Sequence, residues 1–257
     1  MDSGTGPRSP VKTAQRTIRV FEALKRLDGA TIKELATHLD MSKSSTHDYL
    51  KTLEHEGYVV RDGYTYEVGL RFLDIGGYAR VQEPLYLEAK PKLDELAEET
   101  EELVNLLVEE HGRGTFLYRS RGPKAVNLET YVGECIELHT TALGKTILAY
   151  LPEERVDQIV ERYGLPEHTE HTVTDRATLE ADLEEIRSDG AAVCMEERIR
   201  GLCGVAVPIR PEDRIIGAIS VTGPMNRMRS AEVRQGHVER LQNARNVVEL
   251  NLQHDYK

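Results

Sequence analysis

The chain has 257 residues, 39% hydrophobic and 30% charged, which gives enough apolar mass for one large or two smaller domains and excludes disordered, collagen-like and mucin-like classes. No run approaches the ~18 apolar residues of a membrane helix, and Met1 to Pro10 lacks the apolar core of a signal peptide, so a cytoplasmic protein with no membrane partner is expected. Three cysteines, Cys135, Cys194 and Cys203, with no CxxC pair, indicate neither a disulfide framework nor a zinc finger and read as reduced thiols.

The net charge of −11 hides an asymmetry: residues 1–80 hold 12 Lys and Arg against 11 Asp and Glu, leaving 21 against 33 for the remainder. A near-neutral module binds DNA when its basic groups cluster on one face, while the acidic remainder keeps nonspecific contact weak. Acidity of this degree also suits a high-salt cytoplasm.

Residues 1–12, rich in Ser, Gly and Pro, read as a disordered tail. From Thr13 to Leu27, Ile18, Phe21, Leu24 and Leu27 recur at three-residue steps with Val20 and Ala23 beside them, which predicts an amphipathic helix ended by Asp28 and Gly29. Thr31, with Glu34 three residues on, has capping-box spacing for a helix whose apolar face is Ile32, Leu35, Ala36 and Leu39. After a turn at Asp40 and Met41, Ser42 caps a third helix to about Glu56, with Tyr49, Leu50 and Leu53 inward and Gly57 ending it. Tyr58 to Arg61 and Tyr64 to Val68 flank Asp62 and Gly63, a strong hairpin signal.

Three helices and a hairpin over residues 13–68 make a winged helix-turn-helix, with the third helix placed for the major groove. Its start brings small hydroxyls and bases together. Lys43, Ser44, Ser45 and His47 are placed to meet phosphates and base edges, Lys51 lies one turn on, and Arg61 stands on the wing. Asp48 is the discordant residue: a carboxylate near phosphate is repulsive unless it faces a cytosine amino group or turns toward Lys51 or Lys12.

Leu35-Ala36, Met41 to Ser45, Leu50 to Leu53 and Gly57-Tyr58 together resemble the IclR family of transcriptional regulators, and the chain's acidity is compatible with a haloarchaeal source. The likeness continues through Tyr66 to Gly69, Leu70, Leu73 and Gly76, similar to the family's helix linking its two domains, here residues 69–82. Asp48 departs from the basic residue the family often has there.

Residues 83–257 alternate helical and strand patterns. Leu85 to Thr100, Gly144 to Leu151, Leu179 to Ser188 and Ala231 to Leu252 read as helices. Val104 to Glu109, Thr115 to Arg119, Ala191 to Met195, Val205 to Arg210 and Ile215 to Thr222 read as strands. The fold class is α+β, a central antiparallel sheet flanked by helices. The family resemblance implies a GAF-like α/β effector-binding domain, carried by Leu138 to Lys145, Glu196-Glu197, Gly201-Leu202, Ala206, Pro208-Ile209 and Ser220 to Pro224.

Gly144-Lys145-Thr146 ends like a phosphate-binding loop, but five residues before Gly144 stands His139 and not glycine, so the phosphate cradle is missing. A helix start is the better reading, with free amides able to hold an anion. The resemblance implies that Ala142 and Leu143 meet a small carboxylate or similar effector there. Alternation sends Ile216, Ala218, Ser220 and Thr222 to one strand face, so both hydroxyls can point into a cavity. The resemblance implies pocket roles for Leu202 and these hydroxyls. Cys194 stands where relatives often carry an acidic residue and Gly204 where they often carry cysteine, which suggests an effector other than the best-known small keto acids.

Enzyme signals are weak. Cys135 and His139 imitate a nucleophile and base, but no nucleophile elbow accompanies them, so Cys135 reads as a buried packing cysteine. Glu196 and Glu197 face apart if on a strand. His168 and His171, at HxxH spacing, have no further ligands and read as solvated, and Gly112-Arg113-Gly114 reads as a hairpin turn. No catalytic residue, metal or cofactor is expected. The reading is a sequence-specific regulator on double-stranded operator DNA, controlled by a small carboxylate or sugar-derived effector and acting as a homodimer or homotetramer, because one recognition helix reads too few base pairs. The alternatives are a metabolite-processing enzyme with an attached winged helix, or a winged-helix protein-interaction module.

Overall fold

The computed structural model describes residues 10–252, so most of the expected tail lies outside the described residues. The chain divides between Ala79 and Arg80 into two compact units.

In the first unit α1 (Lys12–Arg26), β1 (Ala30–Thr31), α2 (Ile32–Leu39), α3 (Lys43–His55), β2 (Val59–Asp62) and β3 (Thr65–Val68) follow in order, and α4 (Arg71–Val81) runs through the division. The sheet order is β1-β3-β2, antiparallel throughout, so the unpredicted two-residue β1 turns the hairpin into a three-stranded wing. Local chemistry sets the boundaries. Asp28 and Gly29 take left-handed conformations after α1. Thr31 and Glu34 form the reciprocal capping box, with bonds of 3.3 and 2.9 Å. Ser42 Oγ accepts from the Ser45 amide at 3.1 Å to start α3.

The core of this unit is Val20, Ala23, Leu24, Ala30, Leu35, Leu39, Leu50, Leu53, Val59 and Tyr66. Ile18 is a correction, being 57% exposed. At 3.6 residues per turn it lies about 160° around α1 from Val20, because three-residue steps drift off the buried face. Tyr49 is only half-buried, and Thr46 takes the deeper position one turn before Leu50. Phe72 at the start of α4 meets Phe21 and Tyr58 edge-on at 4.7 and 5.1 Å.

The second unit contains α5 (Pro84–Thr100), β4 (Leu103–Glu110), β5 (Arg113–Arg121), β6 (Cys135–Ile136), α6 (Ala142–Tyr150), α7 (Glu153–Tyr163), α8 (Arg176–Asp189), β7 (Ala192–Met195), β8 (Leu202–Ile209), β9 (Gly217–Pro224), α9 (Met225–Met228) and α10 (Ala231–Leu252). Its antiparallel sheet has the order β6-β5-β4-β9-β8-β7. Alternation gives each strand two apolar faces. One, with Val104, Leu106, Val205, Val207, Ile219 and Val221, is covered by α5 and α10. The other, with Leu107, Phe116, Ala192, Ala206 and Ala218, is covered by α6, with α7 and α8 behind it.

One strand expectation is corrected and one helix is added. Ile216 packs on the α5 and α10 side, opposite Ala218, because β9 begins only at Gly217 and the preceding turn does not keep the alternation. Helix α7 was not predicted, although Val156, Ile159, Val160 and Tyr163 carry its i, i+3, i+4, i+7 stripe. The Gly112 turn does join two strands, with His111 and Gly112 both at positive φ.

Candidate functional site

The first unit presents α3 by its N-terminal half. Lys43, Ser44, Ser45, His47 and Lys51 are all exposed, while Thr46, Leu50 and Leu53 hold the helix to the core, so the polar face is fixed by an apolar one. Ser45 also serves the cap, accepting a bond from Ser42 Oγ at 2.9 Å. Arg61 is exposed on β2, its Nε bound to the Gly63 carbonyl at 2.8 Å and its guanidinium over the Tyr66 ring. Asp48 is exposed beside His47, 3.5 Å from its Nδ1, and makes no ion pair with Lys51 or Lys12.

The second unit holds a cavity of ≈600 Å³, its open mouth included, between the start of α6 and one sheet face. All six residues expected to meet an effector line it: Ala142 and Leu143 from α6, Cys194 from β7, Leu202 from β8, and Ser220 and Thr222 from β9. Antiparallel register brings them together. Thr222 lies opposite Gly204, and Gly204 opposite Cys194, in one row across the sheet. A Cβ on Gly204 would meet Thr222 Oγ1 at 3.5 Å and the Ala142 Cβ at 3.7 Å, ordinary contact distances.

The start of α6 is shaped by Thr141, whose hydroxyl accepts from the Gly144 amide at 3.0 Å and leaves the Ala142 and Leu143 amides without an intrahelical acceptor. Gly144 is required by close approach: a Cβ there would lie 2.0 Å from the Leu138 carbonyl oxygen. Lys145 does not face the cavity as a phosphate ligand. It is buried between Asp182 and Glu197, with Nζ 2.6 Å from each. Burial pulls its pKa down, and the Glu197 and Asp182 carboxylates outweigh that and hold it above the ordinary value. The Cys194 thiol donates to Glu197 Oε1 at 3.1 Å, and burial, reinforced by that carboxylate, keeps it protonated well above the usual thiol value.

Sequence alternation missed the opposite wall. Phe116 and Arg119, three apart on β5, cannot share a face of a regular strand, yet both line the cavity. The register shift between Leu106 and Leu107 explains this: Leu106 pairs with Tyr118 and Leu107 with Phe116, so Leu117 is an extra residue. The bulge leaves Leu117 and Tyr118 on the α5 side and re-aims Arg119 into the cavity. There its Nε donates to Asn105 Oδ1 at 3.0 Å and its guanidinium lies 5.4 Å from the Phe116 ring centroid. Asn105 Nδ2 in turn donates to Ser220 Oγ and Thr222 Oγ1, both at 3.4 Å.

The enzyme-like pairs separate. Cys135 is exposed on edge strand β6 and not a packing cysteine, because β6 has a partner on one side only and Cys135 alternates outward from buried Ile136. His139 is buried with Nε2 on the Pro166 carbonyl at 3.1 Å, and burial lowers its pKa. Glu196 and Glu197 follow β7 in a turn, so both reach the cavity wall. His168 lies 3.3 Å from Glu137 and His171 4.0 Å from Glu170. Among the described residues no metal-ligating cluster occurs and no helix is long and apolar enough to cross a membrane.

Comparison with known proteins matches residues 13–63 to the IclR helix-turn-helix domain and residues 80–249 to the bacterial transcriptional regulator IclR C-terminal domain. A probable HTH-type transcriptional regulator ArcR of Halobacterium salinarum is 32% identical over 257 residues, covering 98% of this chain and 97% of that protein. Among solved structures, a regulator from Rhodococcus sp. RHA1 aligns with a TM-score of 0.81 at 23% identity, covering 95% of this chain and 99% of that one. An IclR homologue of Microbacterium hydrocarbonoxydans complexed with 4-hydroxybenzoate aligns at 0.79 and 24%, covering 95% and 100%.

Proposed function

Because the chain belongs to the IclR family of transcriptional regulators, we propose that Lys43, Ser44, Ser45, His47 and Lys51 of α3 and Arg61 of the wing contact double-stranded operator DNA, and that the cavity takes the effector. The relatives are named as transcriptional regulators, and the chain is a regulator and not an enzyme. The observation that carries the effector assignment is the convergence of Ala142, Leu143, Cys194, Leu202, Ser220 and Thr222, from four elements, on one cavity.

The effector is a small organic acid or sugar-derived molecule. The free amides of α6 favour an anion, and 4-hydroxybenzoate, bound by one solved relative, is a small carboxylate. Regulation then requires the effector to prefer one arrangement of the DNA-binding heads by ~1–3 kcal/mol. The acting species is a homodimer or homotetramer in the cytoplasm, reading paired half-sites. In support, α4 has no buried residue and exposes Leu73, Ile75, Tyr78 and Val81.

The test is immunoprecipitation of the tagged chain from cells grown on different carbon sources, followed by binding titrations on the recovered operator. Sharp sites whose occupancy changes with one carbon source are expected, and Gly204→Leu, which fills the cavity, keeps DNA binding and loses that response. Absence of sites under all conditions refutes the DNA assignment, and an unchanged response in Gly204→Leu refutes the cavity assignment.

A further inference from the structure

The hydrogen-bonding groups of the cavity wall are unequally spent. Most of its acceptors are engaged within the protein: Asn105 Oδ1 by Arg119, Thr141 Oγ1 by the Gly144 amide, Glu196 Oε1 by the Gly201 amide at 2.6 Å, and Glu197 by Lys145 and the Cys194 thiol, while the buried Thr130 hydroxyl has no partner among the described residues and can donate or accept. Glu134, whose charge acts on Arg119, is paired with Arg198 at 3.3 Å. The donors are left over. Ser220 is 1% exposed and accepts from Asn105, yet among the described residues its own hydroxyl hydrogen has no acceptor, and neither do the Ala142 and Leu143 amides. Arg119 makes no ion pair among the described residues, and its Nη atoms make no hydrogen bond there.

These donors fall into two groups. Ser220 and Thr222 on β9 adjoin the start of α6, while the guanidinium of Arg119 on β5 is tied to Asn105 on β4, which lies between Arg119 and Ser220. Neighbouring strands lie about 4.8 Å apart, so one to two strand spacings, about 5–10 Å, separate the groups. A buried donor without an acceptor is costly, and a half-buried guanidinium whose Nη atoms have no partner among the described residues is free to take a carboxylate, so a ligand with acceptors at both ends satisfies what the protein leaves open. We propose that the effector is a small organic acid with two anionic groups, one held by Arg119 and the other at the start of α6 beside Ser220 and Thr222. Arg119, delivered by the β5 bulge, is then the residue that distinguishes a diacid from a monoacid of the same length. This inference rests on the cavity being the effector site.

The test is calorimetric titration of the full chain with straight-chain α,ω-dicarboxylates of four to seven carbons and with monocarboxylates of matching length. At least one diacid should bind the wild type tenfold or more tightly than its matched monoacid. Arg119→Gln should erase that ratio while leaving monoacid affinity within threefold, and Arg119→Lys should keep part of it. Equal binding of both classes to the wild type, equal weakening of both by Arg119→Gln, or no diacid binding at all overturns the inference. Gly204→Leu separates the two failures: if it leaves the measured affinities intact, the ligands bind elsewhere and the cavity assignment itself falls; if it abolishes them without a diacid preference in the wild type, only the two-anion inference falls.

Discussion

Replacing Lys145 by Met tests whether the ion cluster beneath the cavity is structural. Lys145 is 3% exposed and stands 2.6 Å from both Asp182 and Glu197, whose side chains are 32% and 10% exposed. Met keeps most of the volume and removes the charge. Glu197 is then left with the Cys194 thiol, 3.1 Å away, as its main partner, while water can solvate Asp182. Breaking a buried pair from one side costs about 3–5 kcal/mol, and nearly all of it falls on Glu197. With a urea slope of about 2–3 kcal/mol/M, the midpoint should fall by about 1–2.5 M. The chain has no Trp, so far-UV circular dichroism is the suitable probe. Adding Glu197→Gln removes the stranded carboxylate and should restore at least half of the loss. A loss below about 1 kcal/mol, or a double variant no more stable than the single one, refutes a structural role for the cluster.

Three further outcomes are expected. Gly144→Ala forces a Cβ to within 2.0 Å of the Leu138 carbonyl, so the second unit should lose cooperative thermal unfolding or fall by 10 °C or more in Tm, and a Tm within a few degrees of wild type would show that the helix start shifts freely. Lys43→Ala and Lys51→Ala should each weaken binding on every operator sequence and flatten the salt slope by about one unit, whereas His47→Ala should change sequence preference; anisotropy titrations at several salt concentrations decide this, and unchanged binding in both lysine variants refutes the assigned face. Burial and Glu197 raise the Cys194 pKa, and the carboxylates beside Lys145 raise its pKa. Both groups therefore contribute stability that is present below their ordinary values of 9.0 and 10.5 and is lost as pH rises through the raised ones. Denaturation midpoints should fall above pH 9, less steeply in Cys194→Ala, and equal slopes in the two proteins would refute the thiol's part.

Local signals determined the DNA-binding unit. The Thr31 and Glu34 box, the Ser42 cap, the Asp28-Gly29 stop and the Asp62-Gly63 turn act within a few residues, so the helices and hairpin could be read from the chain alone. The pocket hydroxyls Ser220 and Thr222 were legible because strand alternation has a fixed period of two. Readings failed where a neighbour from elsewhere in the chain decides. Ile18 looked apolar enough to bury, but the face of α1 is chosen by α2 and β3. Cys135 is exposed because β6 pairs only with β5. Lys145, beside a glycine in a phosphate-loop-like string, is buried against Asp182 on α8 and Glu197 in the β7–β8 turn, partners 37 and 52 residues away. Arg119 reaches the cavity only because one extra residue on β5 breaks the alternation opposite β4, and a bulge of that kind is a property of strand pairing and not of either strand alone. Sequence by itself determined the family, the helix caps and the recognition helix, since those depend on contacts a few residues apart; tertiary structure decided which charges meet in the cavity, since those depend on register between distant strands.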